Sequence, residues 1–218
     1  MTVFLDAFSS LIAGVGTTLF LTVASFTIGA LIAIPVSLCR VSRAWPMRLA
    51  ATVYIEIARG IPPIAWLFIL YFGLTQLDIR LESITAAVIG LGLIAGGYLA
   101  EIYRSGMRAV PLGQSEAASS LGITRRAAYK SIIIPQAIIT VIPLAATFMI
   151  GLLKDSAVAS VIGVEDITAI ALSLSKREVE GLTIFIAAGA VYLLISVPVA
   201  LLARVLGARL VRRLEFVR

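Results

Sequence analysis

The residues of this sequence that could do chemistry are the few ionisable side chains beside long uncharged runs. Lys154 and Asp155 lie at the end of an apolar stretch that also holds Thr147 and Ser156. A neighbouring cation and anion could bind the opposite charges of a zwitterion, with Asp155 taking an ammonium and Lys154 or backbone N–H groups taking a carboxylate. The alternative is a pair of charges at a helix end. We predict that these four residues contact a solute.

Two further charged pairs have helical spacing. Glu56 and Arg59 are three residues apart, directly before a pair of prolines, and Glu101 and Arg104 have the same separation. Residues three apart lie on one side of a helix. We therefore predict local ion pairs at both places and favour them over contact with a solute.

These charges are set in a chain of 218 residues that is 60% hydrophobic and only 14% charged. A helix needs about 20 apolar residues to cross a membrane. Five uncharged runs reach about that length, and none alternates as a barrel strand would, so five transmembrane helices are predicted. The runs lie between Asp6 and Arg40, Arg59 and Asp78, Glu82 and Glu101, Lys130 and Lys154, and Glu180 and Arg204.

The basic residues predict an orientation. With five spans, 13 of the 18 Lys and Arg residues fall on one side, and such an excess marks the cytoplasmic face. The N-terminus is then outside and the C-terminus cytoplasmic. The net charge of +6 follows from this rule and is not evidence for nucleic acid. The lone Cys39 and the absence of histidine argue against a metal site.

A polar island, residues 113–136, interrupts the apolar sequence on the predicted inner side. Its sequence predicts two short helices joined at Gly122, where the first helix ends. The second is predicted to begin at the N-cap Thr124 and to end at Ile134, before Pro135. Leu121 and its apolar neighbours form a knob, with Glu116 beside two arginines. The knob could pack on its own helices, but docking into a groove of a cytosolic partner is favoured.

The island also carries a family resemblance. Glu116-Ala117-Ala118, Gly122, Ile132 and Ile134-Pro135 resemble the EAA motif of permease subunits in ATP-binding-cassette (ABC) importers. Other stretches resemble the branch of histidine and glutamine importers, which carries polar amino acids: Tyr54-Ile55-Glu56, Arg59-Gly60-Ile61-Pro62, Gly97-Tyr98-Leu99-Ala100-Glu101 and Lys154-Asp155-Ser156.

The resemblance implies an all-α membrane protein with the type I ABC importer transmembrane-domain fold. One permease domain, residues 1–218, would have a cytoplasmic coupling loop at about 104–135 and an external loop at about 155–180, where Glu165-Asp166 and Lys176-Arg177 bound a short interfacial helix. The chain would be a transport subunit and not an enzyme. The residues implied to couple it to an ATPase are Gln114, Glu116, Ala117, Ala118, Gly122 and Pro135.

The implied partners complete an importer in a bacterial inner membrane. They are a dimer of ABC ATPase subunits, a second permease copy or sister chain, an extracellular or periplasmic solute-binding protein, a polar amino acid and membrane lipid. The sequence has no nucleotide-binding loop, because Gly14-Val15-Gly16-Thr17-Thr18 lacks the GK[ST] ending and is interpreted as a site of close helix packing. ATP and Mg²⁺ would therefore be bound by the ATPase.

The sequence departs from the family pattern in the predicted solute site. Thr147 stands where the family has asparagine, and Ser156-Ala157 replaces a threonine and a serine. The resemblance therefore does not indicate which solute is transported. Two other functions stay open from the sequence. One is an ion-coupled secondary carrier, and the other is a membrane anchor that recruits a soluble partner.

Overall fold

The computed structural model describes residues 2–177 and 180–215, and these residues are helical, without β-strands. Arg218, counted among the cytoplasmic cations, lies outside the described residues. The α-helices of the described part are α1 (Thr2–Leu11), α2 (Val15–Arg40), α3 (Trp45–Gly60), α4 (Pro63–Phe68), α5 (Ser83–Ala109), α6 (Leu112–Ser120), α7 (Arg125–Ala128), α8 (Ile134–Asp155), α9 (Ile167–Ser175) and α10 (Gly181–Glu215).

Four helical stretches in the described part are long and apolar enough to cross a membrane. The stretch Pro63–Leu77 forms a fifth candidate only together with α3, and the two halves are bent by 103°. Consecutive prolines at positions 62 and 63 explain the break, since they lack N–H donors and restrict the residue before them. The four unbent stretches are Val3–Arg40, Ser83–Ala109, Arg125–Ile162 and Gly181–Leu202.

The packing of α2 on α5 shows that the bent pair is one crossing. The two helices run parallel, because Leu21 of α2 packs with Ala86 of α5 while Ala33 packs with Leu99. The chain therefore leaves α2 at one end of the bundle and begins α5 at the other. Residues 41–82 must return across the bundle, which makes the total five and agrees with the predicted count.

Small and hydroxyl side chains allow this close contact between α2 and α5. Gly29 faces Ala95 and the following backbone so closely that a Cβ atom at position 29 would overlap them. Thr22 is fully buried, but its hydroxyl donates a hydrogen bond to the carbonyl of Thr18, 2.8 Å away. The buried hydroxyl therefore has a hydrogen-bond partner. Small residues at helix contacts are the usual means of association in lipid.

The helix that follows the polar island is longer than predicted. The expectation that it stops at Ile134 is wrong, because the helical stretch continues from Arg125 to Ile162, through Pro135. A wide π-helical segment, Tyr129–Ile133, ends two residues before this proline. Such a turn offsets the hydrogen-bonding register, which lets the helix accept a residue without an N–H group.

The bundle has two distinct ends. At one end, α9 and the start of α10 pack on α1 through Leu11, Ile167 and Ile184, all nearly inaccessible to solvent. The backbone of Gly14 lies against that of Ile167, so the predicted close packing is confirmed at Gly14. It is wrong at Gly16, where an added Cβ atom would meet nothing within 4 Å. We call this the α9 end. The end of α5 and the start of α8 meet at the opposite end, where α6 and α7 lie.

Candidate functional site

The polar island forms a compact turn between two spanning helices, and we call residues 112–128 the elbow. Helix α6 ends before Gly122, whose φ of +70° is the left-handed conformation that glycine adopts without strain. The hydroxyl of Thr124 accepts a hydrogen bond from the N–H of Ala127 at 3.4 Å and caps α7. The predicted junction at Gly122 and the predicted N-cap are confirmed.

The elbow has an exposed tip and a buried base. Leu112 and Leu121 are 80% and 77% exposed, which is unusual for leucine, and Glu116 and Ala117 are also exposed. Ala118, on the opposite side of α6, is only 2% exposed. The described chain therefore leaves the leucines and Glu116 free for contact with another surface.

A side-chain hydrogen bond holds the elbow to the spanning helix α8. The side-chain amide of Gln136, at the start of α8, donates to Gln114 of α6 at 3.3 Å. Pro135 precedes Gln136, so this predicted coupling residue lies where α8 joins the elbow. A displacement of α6 would therefore be transmitted to α8 through Gln114.

A cleft of about 600 Å³ lies under the elbow. Glu116 and Arg125 both line it, which agrees with the expected proximity of the acid and the arginines. They do not form an ion pair, and Arg125 instead lies over the ring of Tyr129, 5.7 Å from its centroid. The carboxylate of Glu116 thus remains available to a cation outside the described chain.

The four residues predicted to contact a solute lie on two different sides of the helix. Thr147, Lys154 and Asp155 are exposed and have the spacing i, i+7, i+8, which places them on one face of α8. Ser156 does not share that face, because it is fully buried and donates to the carbonyl of Leu153 at 2.8 Å. Geometry thus groups three of the four residues.

Of the two predicted ion pairs, one forms. Glu101 accepts a hydrogen bond from Arg104 at 2.8 Å, as expected, and also pairs with Arg40 of α2 at 3.6 Å. The expected pair of Glu56 and Arg59 is wrong. Arg59 lies instead over the ring of Tyr98, 4.9 Å from its centroid, because α3 crosses α5 there and brings an aromatic face within reach.

The predicted short helix of the external loop exists, but it is part of the bundle. Asp166 caps α9 by accepting from the N–H of Ala169 at 2.8 Å, and it is fully buried. Burial raises the pKa of Asp166 to about 6. The sequence marked the acidic start of this helix but neither the cap nor the burial of Asp166. The burial depends on contact with α2, where the hydroxyl of Thr18 accepts from the N–H of Ile167 at 3.4 Å.

The comparisons with known proteins agree with this architecture. The family model for the binding-protein-dependent transport system inner membrane component matches residues 25–212. This chain belongs to that family. Its permease relatives include the probable amino-acid ABC transporter permease protein YckA of Bacillus subtilis (strain 168), 37% identical, which covers 86% of this chain and 83% of its own length.

A second relative is the octopine transport system permease protein OccM of Rhizobium radiobacter, 36% identical over 89% of this chain and 83% of its own. Among solved structures, the crystal structure of an amino acid ABC transporter with histidines matches with a TM-score of 0.87 and 36% identity, over 92% of this chain and 94% of that one. The predicted all-α, type I importer fold is confirmed. Which terminus faces the cytoplasm stays a prediction.

Proposed function

We propose that this permease subunit imports a polar amino acid by alternating access, driven by ATP hydrolysis in separate subunits. The observation that carries the proposal is the exposed elbow: a family member presents two leucines and a glutamate on a rigid turn anchored to a spanning helix. Family membership favours this importer over an ion-coupled carrier or a membrane anchor.

The elbow would serve as the coupling element. An ATPase subunit with an apolar groove and a nearby arginine would receive Leu121 and Glu116. Closure of the ATPase dimer on ATP and Mg²⁺ would then move α6, and the contact of Gln114 with Gln136 would pass the motion to α8. Rigid elements with discrete arrangements are suited to such transmission.

The exposed face of α8 would belong to the solute path. Thr147, Lys154 and Asp155 supply a hydroxyl, a cation and an anion on one side of a spanning helix. Charges at such positions are usually turned to a cavity and not to lipid. Ser156 would act indirectly, by holding the end of α8.

The remaining partners follow from the importer assignment. A second permease, identical or related, would complete the pathway, and a solute-binding protein would deliver the amino acid at the α9 end. The single permease domain would span residues 1–218 in a bacterial inner membrane, with the elbow and the C-terminus in the cytoplasm. The excess of cations on that side supports the orientation.

Charge reversal in the elbow tests the proposal. Glu116→Lys should weaken copurification with an ATPase subunit of the amino-acid importer type by about tenfold or more, since a charge-assisted contact becomes a repulsion. Uptake into proteoliposomes should fall with it. Pull-down and uptake of labelled amino acid measure both effects.

The matched control is Glu82→Lys, an exposed glutamate at the α9 end of the bundle. It carries the same change of charge and should leave ATPase binding unchanged. Normal association and normal uptake in Glu116→Lys would contradict the proposed coupling role.

A further inference from the structure

The start of α3 and the turn before it form a surface that the described chain leaves uncovered, and we call residues 41–50 the shoulder. All of them except Ser42 are exposed. The buried face of α3 begins only after the shoulder, at Ala51, Ile55 and Ala58. The shoulder therefore projects from the bundle toward whatever surrounds it.

The shoulder combines large apolar side chains with cations. Trp45 is 63% exposed, and Met47 and Leu49 are exposed as well. Arg48 and Leu49 follow Trp45 by three and four residues, so the three share one side of α3, and Arg43 adds a charge in the turn. This composition is typical of the membrane interface, where indole rings lie at the level of the lipid headgroups and arginine buries its aliphatic stem while its charge stays in water.

Among the described residues, no acidic side chain pairs with the two arginines of the shoulder. The sequence has no acid at all from position 7 to position 55. Glu56 is eight residues beyond Arg48, a rise of about 12 Å along α3, which is too far for an ion pair. Glu101 of α5 pairs with two other arginines. The shoulder therefore carries positive charge that the described chain does not neutralise.

Helix α3 lies across the bundle and not along it. A Cβ atom at Gly97 of α5 would lie 2.8 Å from the side chain of Ala58 and 3.6 Å from the carbonyl of Ile55, so successive turns of α3 meet α5 at one level. The stretch after α3 is bent from it by 103°, and its Leu67 reaches Gly90, two turns further along α5 toward the α9 end. Because that stretch follows the spans, α3 lies roughly parallel to the membrane surface.

The level at which α3 crosses is the charged end of the bundle. Gly97 is one turn before Glu101, whose carboxylate pairs with Arg40 at the end of α2 and with Arg104. These cations belong to the side that the sequence predicts to be cytoplasmic. A helix with an apolar and a basic side, parallel to the membrane at this level, has its exposed residues among the lipid headgroups.

We propose that the shoulder binds the headgroups of anionic phospholipids. The proposal does not depend on the import function. A guanidinium binds a lipid phosphate through paired hydrogen bonds, and Trp45 and Leu49 hold Arg43 and Arg48 at the depth of the headgroups. Since neither arginine is neutralised by the described chain, each favours an anionic lipid over a zwitterionic one by about fivefold.

Quenching of the fluorescence of Trp45 by brominated lipids tests the proposal on the purified complex of permease and ATPase in nanodiscs. The discs contain equal parts of phosphatidylglycerol and phosphatidylcholine, with bromine on the acyl chains of one lipid or the other. Subtraction of the signal of Trp45→Phe isolates the contribution of Trp45. Random mixing gives equal quenching, whereas the proposal predicts that brominated phosphatidylglycerol quenches about twofold more strongly or better.

Paired variants assign the preference to the shoulder. Arg43→Gln combined with Arg48→Gln should make the quenching by the two lipids equal, and lysine at both positions should keep most of the difference because the charge remains. The matched control combines Arg80→Gln with Arg177→Gln, which removes the same charge from exposed positions at the α9 end and should keep the full difference. Unfolding temperatures in detergent should be the same for all these variants, since the side chains are exposed.

Three results would overturn the proposal. Equal quenching of Trp45 by the two lipids in wild type would mean that the shoulder touches lipid without selecting the headgroup. Absence of quenching by either lipid would mean that a protein, the ATPase or a second permease, covers the shoulder. Loss of the preference in the control at the α9 end would assign it to the charge of the whole chain and not to the shoulder.

Discussion

At the scale of single residues, the clearest result is how buried polar atoms fasten α9 into the bundle. Asp166 accepts from Ala169, and the hydroxyl of Tyr192 on α10 donates to its other oxygen at 3.5 Å. Thr168 and Tyr192 share a hydrogen bond of 2.9 Å, and Thr18 binds the N–H of Ile167. Helices α2, α9 and α10 are thus joined by polar contacts that local sequence patterns do not reveal.

The raised pKa of Asp166 predicts a pH dependence of stability. Its pKa is about 6 in the folded chain against an ordinary value of 3.8, because burial disfavours the charged form. The contribution of Asp166 is therefore fully present below about pH 4 and is lost as the pH rises through 6. Relative to Asp166→Asn, which keeps an oxygen for the cap, wild type should lose on the order of 3 kcal/mol of unfolding free energy across this window.

Thermal unfolding in detergent from pH 4 to 7, for wild type and Asp166→Asn, measures this difference. Glu165→Gln is the control, since it removes a neighbouring but exposed carboxylate and should follow wild type. If the unfolding temperatures of wild type and Asp166→Asn change with pH in the same way, Asp166 does not titrate in this range.

At the scale of elements, the elbow is specified by a single backbone conformation. Gly122 has φ of +70°, and a non-glycine residue there is strained by roughly 1 kcal/mol or more. Gly122→Ala should therefore shift the elbow away from its coupling shape and reduce uptake several-fold, while the spans remain folded. Uptake into proteoliposomes measures the effect on coupling, and the melting temperature measures whether the spans remain folded.

Gly113→Ala is the matched control for that prediction. Gly113 lies within α6, and a Cβ atom there also meets nothing within 4 Å. Because alanine favours helix over glycine, this change should preserve uptake. Equal uptake for the two alanine variants would contradict a role for the left-handed turn.

At the scale of the whole molecule, the parallel packing of α2 on α5 sets the arrangement of the spans. Gly29→Ala places a methyl group against Ala95 and should cost about 1–3 kcal/mol through overpacking. Gly16→Ala, on the same helix with open space around it, should be nearly neutral. Unfolding temperatures in detergent compare the two, and an equal effect would mean that the close contact does not limit stability.

Much of the architecture could be predicted from the sequence because it depends on local properties. The lengths of the uncharged runs determine the spans, and the turn at Gly122 and the cap at Thr124 follow from the preferences of neighbouring residues. The helix break at Pro62 and Pro63 has the same local origin. The end predicted at Ile134 failed because a π turn accommodates Pro135.

The sequence by itself determined how many times the chain crosses the membrane, which loops collect cations and where the elbow turns. Only the tertiary structure decided that Arg59 meets Tyr98 instead of Glu56, that Arg40 joins Glu101, and that α9 lies buried against α2. The physical reason is the distance along the chain between the residues that interact. Hydrophobic length and turn geometry depend on residues adjacent in the chain, whereas these contacts depend on the register in which distant helices pack.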